Sequence, residues 1–442
     1  MKRIFLLVFS GLVLVTFSLP EKSEAIPSFA RKYQTACTTC HTAFPKLNPF
    51  GRAFRNLGFQ MPGGDEQFIK DKPVKLGAEA WKYAFPNGVW PGQIPGTPPL
   101  AIRVNGAYLV NTQNTVEQDF KIPSGVNILS AGTMGEDITF YVGIHLFDEG
   151  DIGFLNRAYI QFDNVLSRWL PSYALNIRIG QFLPGFLPFA IHRGLMNTPY
   201  ITNAVGFGGS LGGHHGGGGS LELAQRGIEA NGILNHHIQY VAGVINGNGI
   251  PTSGTEGNFD VNNVKDGYFR LAYKLGGMGF DGYDPATEDG VLLNTNNWRD
   301  NSIRLGGFAY FGNATPEPAV APAEASELPH DFNRIGFDLD AYYADLNLFG
   351  AFLMSVEDMP DGDKVKFNAW FIEGDYVVYP WLLPGLRYEM IDPEEGSSTT
   401  RLVPNITALI RANIKTFAEM RINPDAFNKD KVDLTLGLQF AF

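Results

Sequence analysis

The feature that most limits how this chain can fold is its last segment, where Val432, Leu434, Leu436, Leu438, Phe440 and Phe442 alternate with Asp433, Thr435, Gly437, Gln439 and Ala441. Successive side chains of a strand point to opposite faces, so this pattern makes a strand with one wholly apolar face. Similar alternation recurs between turn residues over 74–85, 100–112, 138–147, 153–163, 173–182, 221–232, 238–246, 267–276, 302–311, 332–343, 345–355, 366–377, 382–390, 402–411 and 414–422. The series gives about sixteen strands, with about 14 to 18 compatible with the boundaries.

Lys2 and Arg3 precede an apolar run over 4–19, which is followed by Ser23, Glu24 and Ala25. This reads as a signal peptide over 1–25. No later stretch reaches the roughly 20 apolar residues of a spanning helix, so any membrane crossing falls to strands. With 51 glycines, 13% aromatic and 18% charged residues, the composition suits lipid-facing strands, aromatic girdles and glycine-rich loops. A soluble exported β-sandwich would share it. The net charge of −11 argues against a nucleic-acid partner. The expected fold is all-β: a transmembrane antiparallel β-barrel over 74–442, preceded by a short α-helical segment over 26–73. An even strand number puts both termini on the periplasmic side of an outer membrane, where turns are short.

Only two cysteines exist, and they stand as Cys37-Thr38-Thr39-Cys40-His41. This spacing lets both thiols bond the vinyl groups of one haem c while His41 supplies the proximal ligand to its iron. A thioredoxin-like pair, half a zinc site or a structural disulfide would each use the two thiols. None of them calls for His41, and zinc would need two more ligands nearby.

The residues that follow suit a haem-binding segment. Asn48 caps a short helix, Pro49 starts it and Gly58 suits its end. Phe50, Ala53, Phe54 and Leu57 form one apolar face, while Arg52 and Arg55 stand elsewhere for propionates. An ordinary amphipathic helix would show the same pattern. Met61, just past the helix, is the first choice for distal iron ligand. His145 is the alternative, because alternation turns it and Tyr141 into the lumen.

The same alternation turns Arg157, Tyr159, Gln161, Arg178, Arg270, Lys274 and Arg304 inward, where pairing with acidic neighbours is their expected use. Between 182 and 221 the chain is glycine-rich and reads as an external loop. Its adjacent His214 and His215 could capture a metal, though glycine gives little preorganisation. Catalytic triads, phosphate-binding loops and zinc-protease motifs are absent.

The run Ala36 to His41, followed by Pro45, Lys46, Leu47, Asn48, Pro49, Phe50, Gly51 and Arg52, with Phe54 and Gly58, resembles the fused monohaem cytochrome–porin family of bacterial outer membranes. The segment Arg178 to Phe182, with Pro184, Phe186, Pro188 and Phe189, also resembles phosphate-selective porins. The first resemblance implies one covalent haem c held by Cys37, Cys40 and His41. It further implies electron flow from extracellular Fe(II) to a periplasmic c-type cytochrome or other carrier, as in an Fe(II)-oxidising cytochrome. Another reading is a solute porin, with anions as one candidate cargo, whose haem-bearing segment acts as a periplasmic plug or redox sensor.

Overall fold

A computed structural model describes residues 28–442, apart from positions 67, 79, 90, 91, 112–115, 149, 191, 205–220, 222, 248–258, 261, 285, 286, 288–295, 315–328 and 424–431. The expected signal peptide over 1–25 and the pair His214 and His215 lie outside the described residues.

Alternating polarity produces sixteen strands that close into one antiparallel barrel. They are β1 Leu100–Asn111, β2 Gln118–Thr133, β3 Ile138–Asp148, β4 Asp151–Phe162, β5 Asn176–Phe182, β6 Gln225–Leu234, β7 Ile238–Ile245 and β8 Asp266–Leu275. The ring continues through β9 Ser302–Ala314, β10 His330–Tyr343, β11 Leu346–Asp358, β12 Lys364–Tyr376, β13 Leu382–Pro393, β14 Thr399–Arg411, β15 Ile414–Ile422 and β16 Val432–Ala441. Closure is made by β16 on β1, where Leu438 pairs with Gly106 and Phe440 with Val104. A closed ring leaves no wall strand with an open edge, which is what a sheet in hydrocarbon requires.

The polarity of the wall is that of a membrane barrel. In β10, Arg334, Asp338 and Asp340 are buried inside, while Ile335, Phe337 and Leu339 on the alternate face are 46%, 55% and 43% exposed. β8 repeats this, with Arg270 and Lys274 buried and Phe269, Leu271 and Tyr273 exposed. Such an apolar outer band is stable against lipid and not against water. Exposed Tyr343, Tyr376, Tyr379 and Trp381 fringe one end of it, as aromatic residues do at a membrane interface. No helix among the described residues is long and apolar enough to cross a membrane.

Two differences in strand placement cancel in the count. The stretch 74–85 is not part of the wall: Val74–Lys75 pairs only with Gln93–Ile94, and Trp81–Ala84 is a single helical turn. Prolines at 73, 86, 91, 95 and 98 deny this region a continuous ladder. The wall therefore begins at Leu100. Conversely β2 was not among the expected strands, because Pro123, Ser124 and Gly125 interrupt its alternation. The wall absorbs that interruption by a register shift between Asn105 and Ala107 of β1.

Both ends of the described chain meet the same end of the barrel. Arg31 donates to the Leu100 carbonyl, and Phe442 pairs with Ile102. Tight turns at 344–345 and 412–413 lie at this end, and the long connection from β5 to β6 leaves from the other. Although expected outside, the first part of that connection folds into the lumen. Phe186 stacks on Tyr310 at 5.0 Å, Phe189 packs edge-on to Phe371, and Leu195 is buried. The N-terminal segment lies within the lumen nearer the chain ends, where Lys46 and Arg52 meet wall residues. It comprises α1 (Ser28–Tyr33), a 3-10 turn at Cys37–Thr39, a hairpin of His41–Ala43 with Lys46–Leu47, and α2 (Pro49–Asn56).

Candidate functional site

The Cys37 to His41 segment is shaped by α2. Asn48 caps that helix, its side chain accepting from the Gly51 amide at 2.8 Å and donating to the Thr39 carbonyl at 3.0 Å. Pro49 occupies the first turn, and Gly58 follows the helix at φ +64°. These are the capping features expected from the sequence. The apolar face also forms as expected: Phe50, Ala53, Phe54 and Leu57 are buried. Gly51 is needed for close approach, since a Cβ there would lie 1.9 Å from the Cys40 carbonyl oxygen.

Three observations test whether these residues suit a haem c. Both thiols are free and half-buried, so no disulfide consumes them. Burial pushes Cys37 up to about 11 and Cys40 up to about 12. Second, the His41 Nδ1 is buried without a hydrogen-bond partner. Burial pushes this imidazole down to about 4, so it is neutral at ordinary pH, the form that ligates metal. The Pro45 and Lys46 carbonyls oppose that shift but do not reach hydrogen-bond geometry at Nδ1. Carbonyls of this kind orient ligating imidazoles. Third, Cys40 packs against an apolar cluster containing Tyr33, Phe50, Phe54, Phe59 and Met61. The donor set and its surroundings fit the group.

The two candidate distal ligands are placed differently. Met61 is buried in the cluster that Cys40 touches, and its amide donates to Asp65 Oδ1 at 3.0 Å. Asp65 is held by Tyr33 at 2.6 Å and Lys32 at 2.7 Å. His145 on β3 bonds Asp148 of the same strand and Asn156 of β4. Thr139 of the same strand donates to the Gly58 carbonyl. The strand rise between Thr139 and His145 puts them roughly 20 Å apart.

Buried charges clamp the segment to the wall. Lys46 reaches Asp375, with Glu373 at 3.9 Å, and donates to Asn347 at 2.7 Å. Arg52 pairs with Asp340 and donates to the Tyr342 hydroxyl at 2.6 Å. Arg55 contacts His192 of the inward loop. Both arginines, expected off the apolar face of α2, reach partners outside the apolar cluster. The sequence showed Lys46, Arg52 and the acidic inward positions of β10 and β12, but nothing in it paired them. Of the inward cations expected to meet acids, Arg178 pairs with Glu229 at 2.8 Å, Arg270 with Asp338 at 2.6 Å and Lys274 with Asp300 at 2.7 Å.

Between α2 and the inward loop lies a small cavity lined among others by Arg52, Arg55, Arg178, His192 and Arg193. Burial pushes Arg55 down to about 10, and Arg178 and Arg157 add to that shift. His192 is held well below its ordinary value by burial, then by Arg55 and Arg193. His192 and Arg193 were not singled out from the sequence, because a loop position carries no periodicity to show which way it points.

No protein-family model matches this chain, and no curated protein matches it. Solved structures do. An anion-selective porin from Comamonas acidovorans is similar at 13% identity, covering 78% of this chain and 98% of that one, with a TM-score of 0.50. The outer-membrane channel DcaP of Acinetobacter baumannii is similar at 13% identity, covering 78% and 96%, with a TM-score of 0.49. OmpF of Salmonella typhi, solved with daunomycin, is similar at 10% identity, covering 78% and 97%, also at 0.49. The chain therefore has the sixteen-stranded barrel fold of bacterial outer-membrane porins.

Proposed function

We propose that this chain is an outer-membrane electron-transfer protein that carries one covalent haem c in the lumen of a porin-like barrel, taking electrons from extracellular Fe(II) and passing them to a periplasmic cytochrome or other carrier. The observation that carries this reading is the position of Cys37, Cys40 and His41 on a plug inside the barrel, clamped there by Lys46 and Arg52. A hydrocarbon layer about 30 Å thick is otherwise a barrier between a donor outside and an acceptor inside. A bound haem c would supply a one-electron centre within that layer.

The chain's own residues have distinct roles. Cys37 and Cys40 anchor the group, and His41 presents a neutral imidazole. Met61 is the favoured distal residue because it shares the cluster with Cys40, whereas His145 is held far along β3. Phe50, Phe54 and Phe59 keep water from that pocket. The short turns at the end of the barrel where both termini lie support a periplasmic position for them.

The test is reduction of the haem in intact cells by membrane-impermeant Fe(II), followed in the α-band. Reduction supports the conduit. A correctly attached haem that stays oxidised while Fe(II) is present outside would overturn it.

The arginine-lined cavity and the porin fold favour a second reading, a solute porin whose haem-bearing segment is a plug or redox sensor. Planar-bilayer recordings separate the two. Steady anion current through wild-type protein, retained without haem, supports the porin.

A further inference from the structure

The strongest unassigned feature is the excess of positive charge where the plug meets the inward loop. The carboxylate available there is shared: Asp340 takes Arg52, lies 3.3 Å from Arg304 and lies 3.8 Å from Arg193. Asp338 is engaged by Arg270 and Arg304, and Glu229 by Arg178. Arg193 leaves both Nε and Nη1 buried without a hydrogen bond. Among the described residues, no carboxylate forms an ion pair with Arg55, whose guanidinium meets only the His192 ring. Two guanidiniums and an imidazole thus converge on one cavity whose one lining carboxylate among the described residues, Glu229, is taken by Arg178. Withdrawing such cations from water without a counter-charge is strongly unfavourable.

We propose that Arg55 of the plug and His192 and Arg193 of the inward loop form a binding site for one free inorganic oxyanion of phosphate or sulfate type, which ties the plug to the loop. A tetrahedral oxyanion offers several acceptor atoms to donors arriving from different elements, and arginine forks match it in geometry and charge. The site is a static lock, because its donors come from two separate elements, α2 and the inward loop, that the anion would tie together. It does not depend on haem attachment, so it stands or falls separately from the electron-transfer reading. A haem propionate would satisfy the same donors, and the test separates the two sources.

Equilibrium dialysis with radiolabelled inorganic phosphate is run at low ionic strength on purified wild-type protein, both haem-loaded and produced without a haem-attachment system. The expected result is saturable binding near one per chain in both forms, competed by sulfate and not by an equal concentration of chloride. Arg55→Gln and Arg193→Gln should each weaken it roughly tenfold or more. Lys366→Gln, at an exposed ion pair with Glu394, should leave it unchanged. Phosphate should also slow proteolysis of the N-terminal segment in wild type but not in Arg55→Gln. Absence of saturable binding in both forms overturns the proposal, as does binding that both arginine variants retain. Binding confined to the haem-free form overturns it in favour of a propionate. Heat-modifiable migration on gels confirms that each variant barrel is folded.

Discussion

Gly51 lies so close to Cys40 that any side chain at 51 would meet the Cys40 backbone, with an added Cβ only 1.9 Å from its carbonyl oxygen. Backbone cannot give way as a flexible side chain can. Gly51→Ala should push α2 away from the Cys37–Thr39 turn and destabilise the plug by about 1–3 kcal/mol, the usual range for overpacking. Faster protease cleavage within 28–60, with the barrel still heat-modifiable, is the expected readout. Covalent haem content should fall with it.

Lys46→Met removes the cation from a buried cluster and leaves Glu373 and Asp375 facing each other without it. Breaking such a cluster on one side costs about 3–5 kcal/mol. The plug should unseat while the wall stays closed, raising single-channel conductance in planar bilayers. Unchanged conductance with a fully protected N-terminus would show that Lys46 is not a clamp.

The ligand assignment is checked by spectroscopy. Met61→Ala should abolish the thioether-to-iron charge-transfer band of the oxidised haem while leaving attachment at Cys37 and Cys40 intact. Met61→His should restore a six-coordinate iron at a lower potential, as nitrogen replaces sulfur. If His145→Ala instead changes the spectrum, the distal ligand is on β3.

Acid should loosen the junction of plug and loop. His192 is held well below the ordinary imidazole value of 6.5 by burial, and then by Arg55, Arg193, Arg157 and Arg52 around it. Below about 6.5 the unfolded or unseated segment takes up a proton that the seated one refuses, so stability falls as pH drops and is regained as pH rises. Protease sensitivity of the plug should therefore be greater at pH 5 than at pH 7.5. His192→Asn should shrink that difference.

The outer face gives a test of the membrane reading that is independent of the plug. Phe337 on β10 is 55% exposed between buried Gly336 and Asp338 neighbours. Phe337→Arg should cost about 2–4 kcal/mol if the residue faces the lipid midplane. Urea unfolding of vesicle-reconstituted protein measures it. A neutral effect would place this face in water.

How much the sequence revealed depended on the range of the interaction involved. The capped helix α2, the Cys37, Cys40 and His41 triplet and most wall strands were legible, because caps, short spacings and period-two alternation are written within a few residues. The wall also shows where that stops. The stretch 74–85 alternates like a strand but has no wall partner, and β2 lacks clean alternation yet is held by β1 and β3. Strand existence is decided by pairing, and pairing is not local.

By itself, then, the sequence determined the class of fold and most of the wall strands, since both follow from local pattern, whereas the count of sixteen agreed only because one expected strand was lost and one unexpected strand gained. Only the tertiary structure decided that the plug sits inside the ring, that Lys46 meets Asp375 and Arg52 meets Asp340, and that the loop carrying His192 turns inward. Those contacts join positions hundreds of residues apart. Their stability comes from excluding water around opposite charges that the closed barrel brings together, and no spacing along the chain encodes that.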